Sequence, residues 1–197
     1  MSTDVAAAKK AMRALMHRKR ADMDACWRDV ASACAMQRVA ELPEFAAARC
    51  VSCYLALPQE VQTEHLIGDC RRHGKQVCVP VWDESRGLYG WALWRDGEPV
   101  RTGKLGVTEP AAPAWVAPEA IDLMVAPGVA FDAQGGRLGH GGGYYDRLMR
   151  ALRPDAPRAG LAFGYQLVPL VPQTENDVTV DFVVTETNII RTREGAG

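Results

Sequence analysis

Before residue 50 the apolar positions of this chain recur at helical spacing, and after it short apolar runs alternate with amphipathic stretches. Met12, Leu15, Met16 and Met23 fall on one stripe, which predicts a helix over residues 4–20 that Ser2, Thr3 or Asp4 can cap. Cys26, Val30, Cys34 and Val39 predict a second helix, capped by Asp22 or Asp24, and Pro43 starts a short further turn. Residues 50–56 read as a strand, 63–73 as a helix stopped by Gly74, and 76–81 as the next strand. A more exposed strand is expected over 88–94, and 105–118 is the least regular stretch. The apolar run 121–126 has the mark of a buried parallel strand. A glycine-rich loop follows, then a helix over 144–152, core strands over 159–163 and 181–184, and a further strand over 188–191.

Strands alternating with helices imply an α/β fold with a doubly wound sheet and right-handed crossovers. Ligands in such folds sit at the carboxyl ends of the strands. With no internal repeat and no long linker, residues 1–197 are expected to form one domain, with N-terminal helices in 1–40 and the α/β core in 50–190. Residues 194–197 are expected to be disordered.

Charge narrows the function classes. The formal net charge is -1, with 24% charged and 48% hydrophobic residues, so nothing global points to nucleic acid or a membrane. Lys9, Lys10, Arg13, Arg18, Lys19 and Arg20 nonetheless crowd the first helix, and Lys9 and Arg13, four apart, share a face. Such a cluster on a near-neutral chain suggests a small anionic ligand, its alternative being a solvated helix face. No run approaches the roughly 18 apolar residues of a membrane span. The N-terminus lacks the apolar core of a secretory signal, so a cytoplasmic location is expected. Cys50 and Cys53 have zinc-like spacing, but no second ligand pair accompanies them, and on a strand they point to opposite faces.

The segment from Pro127 to Arg147 carries the chemistry. Between Gly135 and Gly143, six of nine residues are glycine, and the stretch joins a buried strand to a helix. Glycines let backbone N–H groups approach a ligand, and the helix N-terminus completes an anion cradle, to which Arg137 and Arg147 could add charge. The spacing matches neither a Walker A loop nor a dinucleotide fingerprint. Asp146, on the first turn of the helix, and Asp181, an acid in an apolar run, are candidate Mg²⁺ ligands, with Asp132 and Asp177 weaker ones. Glu60 follows a strand end, where substrate-positioning groups are found. His140 lies inside the loop; His17, His65 and His73 lack metal-ligand spacing. The tryptophans Trp82, Trp91, Trp94 and Trp115 are core or the wall of a flat-ligand site.

These motifs carry a resemblance: Lys9-x-x-x-Arg13, the run Tyr54 to Thr63, Gly74 to Trp82, the Pro127 to Asp132 string with Arg137 to Arg147, Gly160 to Phe163, and Asp177 to Asp181. Together they make the chain, from about Lys9 to Ile190, resemble the 5-formyltetrahydrofolate cyclo-ligases, or 5,10-methenyltetrahydrofolate synthetases. The resemblance implies a three-layer α/β fold with a mostly parallel sheet, like that of the sugar-phosphate isomerase and CoA-transferase group, and ATP-dependent closure of 5-formyltetrahydrofolate with Mg²⁺; the chain is expected to be a monomer. It implies that Lys9, Arg13 and the loop Arg137, Leu138, Gly139, His140, Gly141, Gly142, Gly143, Tyr144 and Tyr145 meet ATP. It places Leu55, Glu60 and the part of the loop from His140 to Tyr144 at folate, Asp146 and Asp181 at Mg²⁺, and Arg137, His140 and Tyr144 at the reacting groups. Some members carry a lysine where this chain has Gly142, and many bacterial ones a histidine or aromatic residue where it has Asn176. The alternatives are an inactive folate- or nucleotide-binding family member, a dinucleotide oxidoreductase and a nucleic-acid-binding module.

Overall fold

The computed structural model describes residues 2–21 and 23–192. Three helices come first: α1 (Ser2–Ala21), α2 (Ala25–Ala40) and α3 (Pro43–Ala47). The core follows in the order β1 (Cys50–Ser52), α4 (Glu64–Arg72), β2 (Gln76–Asp83), β3 (Leu88–Leu93), β4 (Val100–Thr102), β5 (Thr108–Pro110), β6 (Trp115–Val116) and β7 (Leu123–Pro127). It ends with β8 (Ala130–Phe131), β9 (Arg137–Leu138), α5 (Tyr144–Ala151), β10 (Arg158–Leu161), β11 (Phe182–Val184) and β12 (Ile189–Arg191).

Eight strands form one sheet in the order β12-β11-β10-β7-β1-β2-β3-β6. The five from β11 to β2 are parallel, in registers such as Val51↔Val77, Val51↔Leu123 and Val125↔Ala159; β12 and β3 run antiparallel to them, and β6 pairs antiparallel with β3. The central strands β1, β7 and β10 are buried at every residue, because helices cover both faces. Alternation along β7 sorts the core. Leu123 and Val125 pack with Met36, Val39, Phe45 and Leu66 from α2, α3 and α4, whereas Met124 and Ala126 pack with Leu148 and Met149 from α5. The expected mostly parallel sheet between helical layers is therefore the observed one.

The departures have local causes. α1 begins at Ser2, so Asp4 sits in its first turn and does not cap it. Asp24 caps α2, its carboxylate accepting the Trp27 N–H at 2.9 Å, while Asp22 lies outside the described residues, as do residues 194–197. β1 ends at Ser52, not at residue 56, and the chain then leaves the sheet to wall the cavity described below. Thr63 starts α4 without a side-chain cap, its hydroxyl donating to the Tyr54 carbonyl at 2.6 Å instead. Pro80 is tolerated in β2 because β1 has already ended and only β3 pairs there. The irregular stretch 105–118 contains β5, which closes a two-stranded ribbon with β4, and the edge strand β6. Cys50 packs under α5 and Cys53 under α2 and α4, as opposite strand faces require; all six cysteines are free, and the described residues contain no cluster of three or more potential metal-binding side chains.

Candidate functional site

A cavity of about 580 Å³ opens at the carboxyl ends of the parallel strands. Its floor is the end of β7 and the β8–β9 hairpin, one wall is the segment after β1, and α1 lies across the mouth. This volume suits a small molecule or a pair of them.

The hairpin owes its shape to Asp132. This acid is 1% exposed, and its Oδ1 accepts N–H groups from Gln134 at 2.9 Å and Gly136 at 2.8 Å, while Oδ2 accepts that of Val171 at 2.8 Å. With its oxygens turned to backbone donors, Asp132 is a structural acid, away from the cavity. The hairpin delivers Arg137, whose side chain is 2% exposed and whose guanidinium pairs with Asp146 at 3.1 Å and lies over the Tyr145 ring. The loop then turns through Gly141 (φ 111°) and reaches α5 through Gly143 (φ 63°), conformations that side chains resist. Gly143 leaves α5 without a side-chain cap, so its first N–H groups remain free for an anion. Arg147 reaches back to the Gly142 carbonyl at 3.0 Å, and the Arg13 Nε–H donates to the Gly139 carbonyl at 2.8 Å.

The residues singled out in the sequence are nearly all brought together. Lys9, Arg13, Leu55, Glu60, the stretch from Arg137 to Tyr145, and Asp146 line the one cavity. Glu60 accepts the Leu57 N–H through Oε2 at 2.9 Å and turns Oε1 toward His140, whose Nε2 is 3.7 Å away. The Lys9 ammonium is bound by both oxygens of Asp177, at 2.7 and 2.5 Å. Burial works against ionisation of Asp177, but the Lys9 hydrogen bond and the Thr174 N–H and hydroxyl outweigh it and hold the carboxyl below its ordinary 3.8. Asp181 does not join this group. It sits at the amino end of β11, where its carboxylate accepts the Arg158 N–H at 2.9 Å and lies 3.6 Å from the Arg158 guanidinium. The expected pair of Asp146 and Asp181 is thus not assembled in one place; the carboxylates that accompany Asp146 in the cavity are Asp177 and Glu60.

Of the aromatic wall, the sequence singles out Trp82, Tyr144 and Tyr145 but not Tyr89, which brings Trp82 and Tyr144 together. Tyr89 and Tyr144 meet edge to face at 5.0 Å between centroids, with Trp82 at 5.2 Å from Tyr89. Tyr54 and Tyr145 line the cavity as well, and burial, helped by Glu60, pushes both phenols well above their usual 10, so they stay neutral. Burial likewise pushes Tyr89 up to about 12. Of the four tryptophans considered, Trp91 is core and Trp115 is 49% exposed, while Trp82 backs this wall. The His17 ring lies tilted beside that of His140, 6.1 Å between centroids; burial and then the neighbouring Arg20, His140 and Arg13 lower the His17 pKa. A strip of cations beside N–H donors, an acid facing them and flat apolar walls can hold a polyphosphate next to a fused ring.

Comparisons with known proteins agree on one family. Residues 5–186 match the model of the 5-formyltetrahydrofolate cyclo-ligase family. The chain is 31% identical to the 5-formyltetrahydrofolate cyclo-ligase of Escherichia coli K12 over 79% of this chain and 87% of that one. It is 29% identical to that of Mus musculus over 92% and 95%. The NMR structure of Aquifex aeolicus 5,10-methenyltetrahydrofolate synthetase superposes with a TM-score of 0.84 at 30% identity, over 96% of this chain and 95% of that one.

Proposed function

Because the chain belongs to the 5-formyltetrahydrofolate cyclo-ligase family, we propose that its cavity holds ATP and 5-formyltetrahydrofolate side by side and closes the folate to 5,10-methenyltetrahydrofolate, releasing ADP and phosphate. The observation that carries this reading is the convergence, in one cavity, of the Lys9 and Arg13 cations, the uncapped N-terminus of α5 and the Glu60 carboxylate beside an aromatic wall.

The formyl oxygen of the folate attacks the γ-phosphate of ATP, and the bond to the β-phosphate breaks. The resulting imidate phosphate is attacked by N10, the ring closes and phosphate leaves. The protein's work in phosphoryl transfer is placement and charge stabilisation. Lys9, Arg13 and the loop N–H groups neutralise the phosphates. Arg137 stands at the floor, where charge develops on the transferring group. Leu55 and the Tyr89–Tyr144 pair flank the flat pterin, and Glu60, with one oxygen free of the Leu57 turn, takes its polar edge. His140, beside Glu60 at 3.7 Å, and Tyr144 meet the reacting groups.

Mg²⁺ belongs to the same proposal. It binds through one or two carboxylates together with substrate phosphates and water, and Asp146 offers a hard oxygen at the loop end of the cavity. The ion would neutralise phosphate charge there. Asp181, held by Arg158 at the other end of the strands, is not part of that set. The reaction is placed in the cytoplasm, with a monomeric chain and mono- or polyglutamylated folate; localisation of a tagged chain, sedimentation and a glutamate-length series test these points.

The test of the activity is to mix purified protein with (6S)-5-formyltetrahydrofolate, Mg²⁺ and ATP and to follow the near-ultraviolet band of the methenyl product. Growth of the band only with ATP is the expected result. No band from folded protein that still binds ATP would leave a nucleotide-binding chain with a different acceptor.

A further inference from the structure

Among the described residues two acids are buried, Asp132 and Glu109, and only the first has a place in the site so far. Glu109 lies on β5 with its side chain 0% exposed. Its surroundings follow from where β1 stops. Cys78 of β2 still gives its carbonyl to the Cys53 N–H at 2.9 Å; four residues on, at the same pleat, β1 has ended and Trp82 lacks a strand on that side. Side chains of the β4–β5 ribbon take the place of that strand. Glu109 Oε1 accepts the Trp82 N–H at 3.1 Å, and the Arg101 guanidinium donates to the Trp82 carbonyl and to Glu109 Oε2, each at 3.1 Å. Gly103 closes over the carboxylate, where a Cβ would lie 2.0 Å from the Glu109 Cδ. The ribbon tip, residues 103–107, is held by the Gly103 N–H on the Val107 carbonyl at 2.7 Å. This tip meets the cavity wall three times. Val107 lines the cavity, the Lys104 carbonyl accepts the Tyr89 hydroxyl at 3.1 Å, and the Lys104 ammonium lies 3.4 Å over the Trp82 ring. Tyr89 and Trp82 in turn meet Tyr144, at 5.0 and 6.1 Å between centroids.

We propose that Glu109 is a positioning residue for the folate: it docks the β4–β5 ribbon on β2 and so sets Val107 and the Trp82–Tyr89–Tyr144 wall against which the fused ring lies. A carboxylate with no exposed surface keeps its place only while its oxygens have donors, because an unpartnered buried charge is costly. Glu109, Arg101 and the Trp82 backbone therefore stay together or part together. Such a clamp differs from a solvated ion pair at the surface, which would fix little. Its reach is to one substrate, since Lys9 and Arg13 on the phosphate side belong to α1 and not to the ribbon. A wall fixed before the folate arrives spares the cost of ordering it on binding. The inference rests on the folate reading of this wall and names the residue that holds the wall in place.

The experiment compares Glu109→Gln, Arg101→Met, their double variant and Tyr89→Leu, each checked for folding by circular dichroism. It reads the KM for each substrate, and by calorimetry the Kd for (6S)-5-formyltetrahydrofolate alone and for ATP alone. Glu109→Gln is expected to raise the folate KM and Kd about tenfold while the ATP values stay within about twofold, a split that loss of general structural support would not give. Arg101→Met leaves Oε2 without its donor and should act in the same sense; its half-exposed side chain makes it the variant that serves if Glu109→Gln does not fold. The double variant should go no further than the larger single effect, because both residues belong to one contact. Tyr89→Leu removes the ring itself and should raise the folate values at least as much. Folate affinity unchanged in the folded Glu109 and Arg101 variants overturns the proposal, and so does a loss of ATP affinity as large as that of folate affinity. If Tyr89→Leu leaves folate affinity unchanged, the folate reading of this wall fails and the proposal with it. If Tyr89→Leu weakens folate binding while the Glu109 and Arg101 variants are silent, that reading stands and the positioning role alone falls.

Discussion

The β8–β9 hairpin should be the most sensitive polar element of this fold, because a single carboxylate holds three backbone donors in it. In Asp132→Ala the N–H groups of Gly136 and Val171, both buried, lose their partner, while that of Gln134 is part-buried and nearer to water. An unsatisfied buried donor costs about 1–3 kcal/mol, so the alanine variant should lose about 4 kcal/mol. Asp132→Asn keeps one oxygen for Gln134 and Gly136 and turns an NH₂ group toward the Val171 donor, so it should lose about half as much, roughly 2 kcal/mol. With a urea dependence of about 2 kcal/mol per molar, the unfolding midpoint should fall by about 1 M for asparagine and about 2 M for alanine. Both variants should also lose turnover, because the hairpin delivers Arg137 to the cavity floor. Equilibrium urea denaturation followed by tryptophan fluorescence and circular dichroism measures the effect. An alanine cost below about 1 kcal/mol, or an asparagine cost equal to that of alanine, would refute the donor count behind these numbers.

Three further outcomes are expected. The Cβ of Gly160→Ala would overlap the Phe131 ring, which is fully buried and has Gly128 on its other side, so a loss of about 1–3 kcal/mol is expected in the same denaturation experiment, and a neutral result would show that the ring can retreat. Asp146→Asn should lower turnover about 10- to 100-fold in folded protein, most at limiting Mg²⁺, and Glu60→Gln should raise the folate KM about tenfold; steady-state kinetics with each substrate varied separates the two. In Asp177, Asp122 and Glu44 burial opposes ionisation, but hydrogen bonds and a neighbouring cation outweigh it, so all three carboxyls lie below their ordinary 3.8 to 4.5. A depressed folded pKa adds stability that is complete above the unfolded value and lost as pH falls through the folded one. Thermal melts should therefore show this contribution constant above about pH 5 and lost below about pH 4, and a Tm that rises on acidification through that window would contradict the assignment.

Much of this molecule is determined by its sequence alone. Apolar runs of four to six residues broken by amphipathic stretches were enough for a mostly parallel sheet between helices, since each period reports which face of a local element is buried. The loop from Gly135 to Gly143 stood out because glycines in such number between a strand and a helix serve close backbone approach, Lys9, Arg13, Glu60 and Asp146 were singled out by charge, position and family resemblance, and the fold gathers all of them around one cavity. The limits of elements were less legible: β1 is three residues long because its continuation leaves the sheet, and no local period records where a neighbouring strand stops. What only the tertiary structure decided is which charges meet. Asp132, Asp146, Asp177 and Asp181 look alike in sequence, yet one holds a hairpin, one meets Arg137, one meets Lys9 and one meets Arg158 at the far end of the strands. Periodicity couples residues a few positions apart, whereas an ion pair such as Lys9 with Asp177 spans 168 positions and exists only once the chain has folded.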